Sequence, residues 1–187
     1  MSATLTAGLG VLVGGRSSRM GGQPKGLLHV PGTTEALVVH ALRVGGRAGC
    51  APCWLVGDLD VYDTLVTAST QASSKAHPAS TREAWTGTFA GRLRDQPPNV
   101  GPLGGLRALL AAAAAHELSQ VIAVACDMPY VTAELLTTLR EHPSTDAVVA
   151  ARRGPAAPWE PLLARYRPAP LLPLVDEALA AGERSFQ

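Results

Sequence analysis

Short apolar runs alternate with helix-like segments along the chain. The two clearest runs, residues 7–13 and 121–126, are small and apolar without period-2 alternation, which is typical of buried strands in a parallel sheet. Shorter apolar runs predict further strands at residues 53–56, 147–151 and 159–166. Helical periodicity or high helix propensity predicts helices at residues 35–44, 106–118, 132–141 and 171–181. This alternation predicts an α/β fold with a mostly parallel central sheet and helices on both faces.

The sequence allows more specific structural predictions at three places in this pattern. Gly45 and Gly46 are predicted to end the first helix, since glycine is a common helix terminator. Pro161 is predicted to place its strand at a sheet edge or in a bulge, because proline lacks an amide donor. Residues 67–99 lose the pattern, and the four-residue spacing of Trp85, Phe89 and Leu93 predicts one amphipathic helix over 81–93, a mobile flap, or both.

Length and composition limit the class of protein. A chain of 187 residues is predicted to form one domain with a substantial core. A net charge of +1 argues against nucleic acid or an anionic membrane as partner. Neither a secretory signal nor an apolar run of the ~18 residues that span a bilayer is found, so we expect a cytoplasmic protein.

The cysteines favour reduced thiols over a disulfide framework, because their number, three, is odd. Cys50 and Cys53 have the C-x-x-C redox spacing, but they precede a predicted strand instead of following one. A second such pair, which a zinc site would need, is absent from the sequence. A redox or zinc role is therefore not favoured.

A glycine-rich basic loop follows the first strand and suits a triphosphate. Its glycines, among them Gly14 and Gly15, let backbone amides approach an anion, while Arg16, Arg19 and Lys25 add positive charge. The loop is neither a Walker sequence nor G-x-G-x-x-G. The alternative is a flexible surface loop with solvated arginines. In a parallel sheet, however, the loop lies at the carboxyl edge, where ligands of α/β proteins bind.

A carboxylate, Asp127, follows the strand at 121–126 and is predicted to reach the same edge. Mg²⁺ prefers one or two carboxylates together with phosphates and waters, so Asp127 is a candidate ligand. The alternative is a helix N-cap, a role that Thr132 already fills. Glycines at residues 101–105 would let a ligand approach the start of the next helix, or simply allow a tight loop. The aspartates at residues 58, 60 and 63 lack the further ligands of a calcium loop and are predicted to be solvated turn residues.

The run GGRSSRMGGQPKGLL at residues 14–28 resembles the signature loop of the molybdenum cofactor nucleotidyltransferases, most closely the guanylyltransferase branch. GPLGGL at 101–106 and CDMP at 126–129 match the same family in order, with weaker matches at 159–166 and 174–185. The resemblance implies a Rossmann-like nucleotidyltransferase fold that binds GTP with Mg²⁺. It also implies transfer of GMP to the terminal phosphate of molybdopterin, with release of pyrophosphate.

The resemblance also implies roles for individual residues. Lys25 and Asp127 would be catalytic, and Asp127 would hold the metal. Arg19 is predicted to be catalytic with them because its positive charge would stabilise the negative charge that develops in the reaction. The nucleotide would contact Leu12, Val13, Gly14, Gly15, Lys25, Asp95, Gly101 and Asp127. Residues 1–130 would form the nucleotide-binding half and residues 131–187 the acceptor-binding half, where Arg152, Arg153 and Arg165 are expected to hold the anionic second substrate. We also expect transient contact with molybdoenzymes that receive the cofactor.

Several departures from the family pattern leave the base and the acceptor site open. The Gly14-Gly15 pair indicates the guanine-using branch, but Pro24 and Gly57 replace residues common in the family, and the segment before Gly101 is long. The sequence ends at Gln187, before the family's Asn-x-Asn-Thr-Pro segment, so we expect either a truncated form or a protein that has lost part of its acceptor site. The alternatives are therefore a cytidylyltransferase that uses CTP, or a catalytically weak nucleotide-binding protein that delivers cofactor.

Overall fold

The computed structural model of the chain describes residues 6–13, 24–58, 60–62, 64, 88–98 and 100–186. Within these ranges the strands are β1 (Ala7–Leu12), β2 (Cys53–Val56), β3 (Phe89–Leu93), β4 (Gln120–Ala125), β5 (Val148–Ala151) and β6 (Glu160–Tyr166). The helices are α1 (Leu37–Arg47), α2 (Pro102–Ala115), α3 (Ala133–Glu141) and α4 (Pro168–Ala180), with a short 3-10 helix at Lys25–Leu27. Among the described residues, no helix is both long and apolar enough to cross a bilayer.

The strands form a single mixed sheet in the order β3-β2-β1-β4-β6-β5. β1 pairs in parallel with β2 and β4, and β2 pairs in parallel with β3. β6 is antiparallel to both β4 and β5, so β5 runs in the same direction as β4. The predicted mostly parallel sheet is confirmed, and the carboxyl ends of β1 to β5 meet at one edge.

Helices cover both faces of the sheet, which explains why β1 shows no alternation of polar and apolar residues. Leu9 and Val11 pack into the cluster that includes residues of α1 and α3. On the opposite face, a Cβ added at Gly10 would lie 2.6 Å from Leu109 Cδ1 of α2. Every side of β1 is therefore buried, and glycine at position 10 allows α2 to approach closely.

The first helix does not end at Gly45 and Gly46, so that prediction is wrong. α1 continues through both residues to Arg47, and the chain reverses at Gly49, where φ is +74°. A Cβ at Gly45 would lie 3.2 Å from Leu9 Cγ, which shows that Gly45 is needed for close packing of α1 on β1. Packing on the sheet outweighs the roughly 1 kcal/mol by which glycine weakens a helix.

The helix predicted over 81–93 is contradicted at its C-terminal part, where residues Phe89–Leu93 form β3. The pairing register shifts so that Cys53 faces Phe89 while Trp54 faces Gly91, whose φ is +116°. This bulge turns Phe89 and Leu93 towards opposite faces of the sheet. The four-residue spacing therefore does not mark one helical face, because Phe89 and Leu93 are apolar for burial on two different faces of the sheet. Residues 81–87 lie outside the described residues.

Pro161 lies in an irregular stretch of its strand, as predicted, but the strand is not at the edge of the sheet. Its strand, β6, lies between β4 and β5 and is not at the edge of the sheet. The register with β5 shifts from the pair Ala150 and Ala164 to the pair Ala151 and Glu160, which places Pro161 in an irregular stretch. A missing amide donor is tolerated there because regular pairing has already been interrupted.

Candidate nucleotide site

The candidate site begins where β1 and β4 end side by side at the carboxyl edge of the sheet. The Cys126 amide donates to the Leu12 carbonyl at 3.0 Å, and the Val13 amide donates to the Val56 carbonyl at 2.9 Å. These bonds extend the sheet by one residue beyond each strand. Leu12 and Val13 are themselves 7% and 3% exposed, so contact with a nucleotide would come from their remaining backbone groups.

Lys25 and Asp127 meet at this edge. Lys25 begins the 3-10 helix that precedes α1, and Asp127 follows β4 by two residues. Lys25 Nζ donates to Asp127 Oδ2 at 2.7 Å, and their side chains are 44% and 41% exposed. The two residues that the sequence selected from different segments therefore share one solvent-accessible location, as a phosphate-binding cation and a metal-binding carboxylate would need to do.

Asp127 is not the cap of the helix that follows it. Thr132 Oγ1 accepts the Leu135 amide at 3.3 Å and caps α3, as the sequence predicted. Within the described ranges no three His, Cys, Asp or Glu side chains form a metal-binding group. A single exposed carboxylate still fits Mg²⁺, because that ion takes most of its ligands from substrate phosphates and water.

Asp95 lies near the same edge, against the start of α2. A Cβ placed on Gly105 would lie 3.3 Å from Asp95 Oδ1, 3.1 Å from Val56 Cγ1 and 3.6 Å from Leu12 Cδ2. The backbone of α2 therefore adjoins both strand ends and the Asp95 carboxylate. Gly101 is the N-cap of α2 with φ of +78° and ψ of −157°, a conformation that favours glycine.

The Asp95 carboxyl lies in a partly buried and acidic environment. Burial, together with the negative charge of Asp58, raises the pKa of the Asp95 carboxyl above its ordinary value. Asp58 faces the Arg94 guanidinium at 3.8 Å, and Asp60 is paired with Arg92 of β3. Asp58 and Asp60 are thus exposed residues in ion pairs with neighbouring arginines, while Asp63 of the same predicted turn lies outside the described residues. Carboxylates at this end of the edge would accept hydrogen bonds from a nucleoside.

Three predicted site residues cannot be placed. Gly14, Gly15 and Arg19 lie in residues 14–23, outside the described residues. Their assignments stay predictions.

Of the three arginines expected to bind the acceptor, Arg165 has a different role. It is 3% exposed, and its guanidinium donates to the His142 carbonyl at 2.8 Å and the Ser144 carbonyl at 2.7 Å. It pairs with Ile122 near the amino end of β4, on the side of the sheet away from Asp127. The prediction for Arg165 is wrong because the antiparallel course of β6 carries it to the opposite edge.

Arg152 and Arg153 do follow the carboxyl end of β5 and are exposed. The Arg152 guanidinium lies 4.4 Å from the ring centroid of Trp159, and its Nη1 donates to the Pro155 carbonyl at 2.8 Å. Trp159 is 59% exposed. This stacked pair supplies a flat aromatic surface and positive charge at the same edge as Asp127.

The cysteines do not form a reactive pair. Cys50 and Cys53 are buried free thiols, and Cys53 Sγ donates to the Cys50 carbonyl at 3.3 Å. Burial raises the pKa of the Cys50 thiol to about 11 and that of Cys53 to about 12. Thiolates are therefore scarce at neutral pH, as expected of packing residues.

The sequence reasoning missed two residues near the edge, Tyr62 and Trp159. Tyr62 is fully buried and its hydroxyl contacts the backbone beside Lys25. Its one signal in the sequence is that it is a large aromatic residue in an otherwise acidic turn after β2. Trp159 lies at the start of a predicted strand, two residues before Pro161. A proline interrupts regular strand pairing, and this is the one signal in the sequence that Trp159 is exposed.

Two curated relatives are similar to this chain over most of its length. A molybdenum cofactor guanylyltransferase from Pseudomonas fluorescens (strain SBW25) is 33% identical over 186 residues, covering 98% of this chain and 78% of the relative. A probable molybdenum cofactor guanylyltransferase from Mycobacterium tuberculosis (strain ATCC 25618 / H37Rv) is 34% identical over 181 residues, covering 94% and 75%.

Solved structures share the fold. A molybdopterin-guanine dinucleotide biosynthesis protein A from Archaeoglobus fulgidus matches with a TM-score of 0.58 and 20% identity, over 95% of this chain and 75% of the other. A Mycobacterium tuberculosis protein in complex with manganese matches with a TM-score of 0.53 and 15% identity, over 98% and 84%. The family model of the MobA-like NTP transferase domain matches residues 9–187. The chain therefore belongs to the MobA-like NTP transferase domain family.

Proposed function

We propose that the chain transfers GMP from GTP to the terminal phosphate of molybdopterin, giving the guanine dinucleotide cofactor and pyrophosphate. The observation that carries this proposal is the contact between Lys25 and Asp127 at the carboxyl edge of the sheet, in a chain that belongs to a nucleotidyltransferase family. The names of the relatives, molybdenum cofactor guanylyltransferase, support GTP and molybdopterin as the substrates.

The reaction requires that the negative charges of the two substrates are screened and that their reacting groups are aligned. It does not require a covalent nucleophile on the protein. An oxygen of the molybdopterin phosphate bonds to the α-phosphorus of GTP, and the bond from that phosphorus to the β-phosphate oxygen breaks to release pyrophosphate. Both reactants are anions, so positive groups at fixed positions lower the barrier. Lys25 would bind the phosphates as a compact cation, and the Arg19 guanidinium would add a bidentate contact to phosphate oxygens.

The metal part of the proposal places Mg²⁺ on Asp127. When bound, Mg²⁺ supplies positive charge to the triphosphate oxygens and holds them in one orientation. Asp127 provides the single carboxylate that such a site needs, since its other ligands come from phosphates and water. A divalent ion on Asp127 would also free Lys25 from its ion pair and make it available to the phosphates.

The nucleoside side of the site would lie between the ends of β1, β2 and β3. Here Asp95, Leu12 and Gly101 adjoin the start of α2. Val13, Gly14 and Gly15 would also contact the nucleotide, as the family resemblance implies. An ionised carboxylate accepts hydrogen bonds and donates none, whereas guanine offers N1–H and N2–H₂ as donors. Asp95 therefore suits guanine or the ribose hydroxyls. Residues 1–130 would thus form the nucleotide half.

The acceptor side would lie in residues 131–187, after the carboxyl end of β5. Molybdopterin combines a flat ring system with a phosphate. Trp159 offers an exposed ring face, and Arg152 and Arg153 offer guanidinium groups for the phosphate. We place the reaction in the cytoplasm, where GTP is available, and the product would pass to molybdoenzymes through transient contact.

The proposal is tested by pyrophosphate release with GTP, CTP and ATP in turn, each with and without molybdopterin, and by mass spectrometry of the product. We expect release only with GTP and molybdopterin, and only when Mg²⁺ is present. More pyrophosphate and a cytosine dinucleotide with CTP would reverse the choice of base. Tight GTP binding without pyrophosphate release under any condition would contradict the assignment as an enzyme.

A further inference from the structure

Tyr62 touches the backbone of the turn that carries Lys25. Its side chain is fully buried at 0% exposure, and its hydroxyl accepts the Gly26 amide at 3.1 Å. A Cβ on Gly26 would lie 2.7 Å from Tyr62 Cε1 and 3.2 Å from the hydroxyl oxygen. The ring edge is therefore pressed against the peptide directly after Lys25, at a position where a side chain on the turn would collide with it.

The turn has two internal hydrogen bonds, from the Leu27 amide to the Pro24 carbonyl and from the Leu28 amide to the Lys25 carbonyl, each at 3.0 Å. The 3-10 helix Lys25–Leu27 has three residues, and Pro24 before it provides no side-chain cap. Short 3-10 segments have poor hydrogen-bond geometry and depend on their surroundings. The C-terminal side of the turn is fixed by the Leu37 amide, which donates to the Leu28 carbonyl at 2.8 Å. Tyr62 provides the corresponding anchor from another element, directly beside Lys25.

Tyr62 also belongs to the same buried cluster as Cys126, the residue that precedes Asp127. Burial is the main cause that raises the pKa of the Tyr62 phenol, so the hydroxyl stays neutral in the physiological range. Tyr62 thus contacts the segment of Lys25 and shares a buried cluster with the residue that precedes Asp127.

We propose that Tyr62 is a positioning residue for nucleotide transfer, holding the Gly26 amide so that Lys25 Nζ stays at the triphosphate. This inference rests on the proposed function. It follows from the sensitivity of phosphoryl transfer to alignment, since a shift of about 1 Å in a catalytic group can lower the rate about a hundredfold. A tyrosine that served packing alone would act on stability without acting through Lys25.

Tyr166 provides a matched control for Tyr62. It is 4% exposed, and its hydroxyl donates to the Pro161 carbonyl at 2.6 Å, so it is another buried tyrosine bonded to a backbone group. It belongs to the other buried cluster, which packs against α2. Tyr166→Phe removes a comparable hydrogen bond without touching the turn of Lys25.

The test combines Tyr62→Phe and Tyr166→Phe with Lys25→Ala, and measures kcat and KM for pyrophosphate release. Tyr62→Phe keeps the ring, so the fold is retained, and we expect kcat to fall between about tenfold and about a hundredfold. The KM for molybdopterin should not change. In the Lys25→Ala background, Tyr62→Phe should lower kcat no further, because its effect passes through Lys25. Tyr166→Phe should have the same small effect in both backgrounds.

Two results would overturn the inference. One is an unchanged kcat in Tyr62→Phe, and the other is that Tyr62→Phe lowers kcat by the same factor whether Lys25 is present or replaced by alanine. If Tyr62→Phe unfolds, Gly26→Ala replaces it, because the added Cβ displaces the same turn, and the same dependence on Lys25 is required.

Failure of the proposed function gives a different result. If the unsubstituted chain releases no pyrophosphate, the enzyme assignment is contradicted. The same variants are then compared by their Kd for Mg·GTP. Non-additive weakening by Tyr62→Phe and Lys25→Ala still supports positioning by Tyr62, whereas additive weakening, or no binding to weaken, contradicts it.

Discussion

Lys25 Nζ lies 2.7 Å from Asp127 Oδ2, although 102 residues separate the two positions. Both side chains are more than two-fifths exposed, at 44% and 41%. Exposed ion pairs typically contribute about 0–1 kcal/mol to stability, so this pair is not what holds the fold together. Its position at the shared end of β1 and β4 instead provides a cation and an anion where a triphosphate and its metal would bind.

Substitution of either partner should abolish most of the activity while leaving the fold intact. Lys25→Ala and Asp127→Asn are each expected to lower kcat by about 10² to 10³, the usual effect of removing one well-placed electrostatic group. The free energy of unfolding should change by less than about 1 kcal/mol, because the pair is exposed. Steady-state pyrophosphate release and urea denaturation measure the two quantities.

Asp176→Asn is the matched control for that loss. Asp176 Oδ1 accepts Arg107 Nε at 2.9 Å, and the two side chains are 48% and 29% exposed. It is therefore another exposed aspartate that forms an ion pair across a long stretch of chain. Its substitution should leave kcat unchanged. A similar loss of activity in Asp176→Asn would show that removing a surface carboxylate, and not the position of Asp127, is responsible.

Binding of a divalent ion to the nucleotide-free protein should respond oppositely to the two substitutions. Lys25 competes with a cation for Asp127 because it occupies one of the carboxylate oxygens. Lys25→Ala should therefore tighten Mn²⁺ binding, whereas Asp127→Asn should weaken it. Titration with Mn²⁺ followed by electron paramagnetic resonance measures both. Weaker binding in Lys25→Ala would show that Asp127 is not the ligand that Lys25 blocks.

Glu35 should stabilise the folded state at neutral pH and lose that effect in acid. Hydrogen bonds from Arg43, at 2.7 and 2.8 Å, are the main cause that lowers the pKa of the Glu35 carboxyl below its ordinary value of 4.5. A lowered folded-state pKa gives stability that is present above 4.5 and disappears as the pH falls through the folded value.

The variant Glu35→Gln tests that sign. At pH 7 we expect a loss of about 1–2 kcal/mol in the free energy of unfolding, because the group is partly buried and its bonds are charge-assisted. At pH 3 the difference from the unsubstituted chain should be smaller. Glu141→Gln, whose carboxylate is 61% exposed beside Arg140, should have less effect at either pH. A deficit for Glu35→Gln that does not change with pH would contradict the explanation.

The cysteines should be unreactive until the protein unfolds. Burial raises the pKa of the thiols to about 11 for Cys50 and about 12 for Cys53 and Cys126. At pH 8 the native protein should therefore react slowly with a disulfide reagent, and urea should expose all three thiols. Stability should also fall as the pH rises above the ordinary thiol value of 9, since the unfolded chain loses these protons first. Rapid native labelling of Cys53 would contradict this.

Much of the fold follows from the sequence because the signals are local and agree. Buried strands such as β1 and β4 are apolar on both faces, and parallel topology brings their carboxyl ends together. That reasoning was sufficient to place Lys25 and Asp127 in one location. Thr132 as the cap of α3 follows equally from local chemistry.

The failed predictions depended on contacts between distant segments. Gly45 ends no helix because it lies against Leu9. Phe89 and Leu93 are buried on opposite faces of a strand that bulges opposite Trp54, and not on one face of a helix. Arg165 is removed from the acceptor side by the antiparallel course of β6, which periodicity does not reveal. Tyr62 was missed for the same reason, since its contact with Gly26 crosses 36 residues.

A crystal structure of the protein with Mg²⁺ and a non-hydrolysable GTP analogue tests the central claim most directly. We expect the hydrogen bond between Lys25 and Asp127 to be broken, with Lys25 Nζ on a phosphate oxygen, an Asp127 oxygen on the metal, and the guanosine beside Asp95. A nucleotide bound elsewhere, with the 2.7 Å pair intact, would contradict the account.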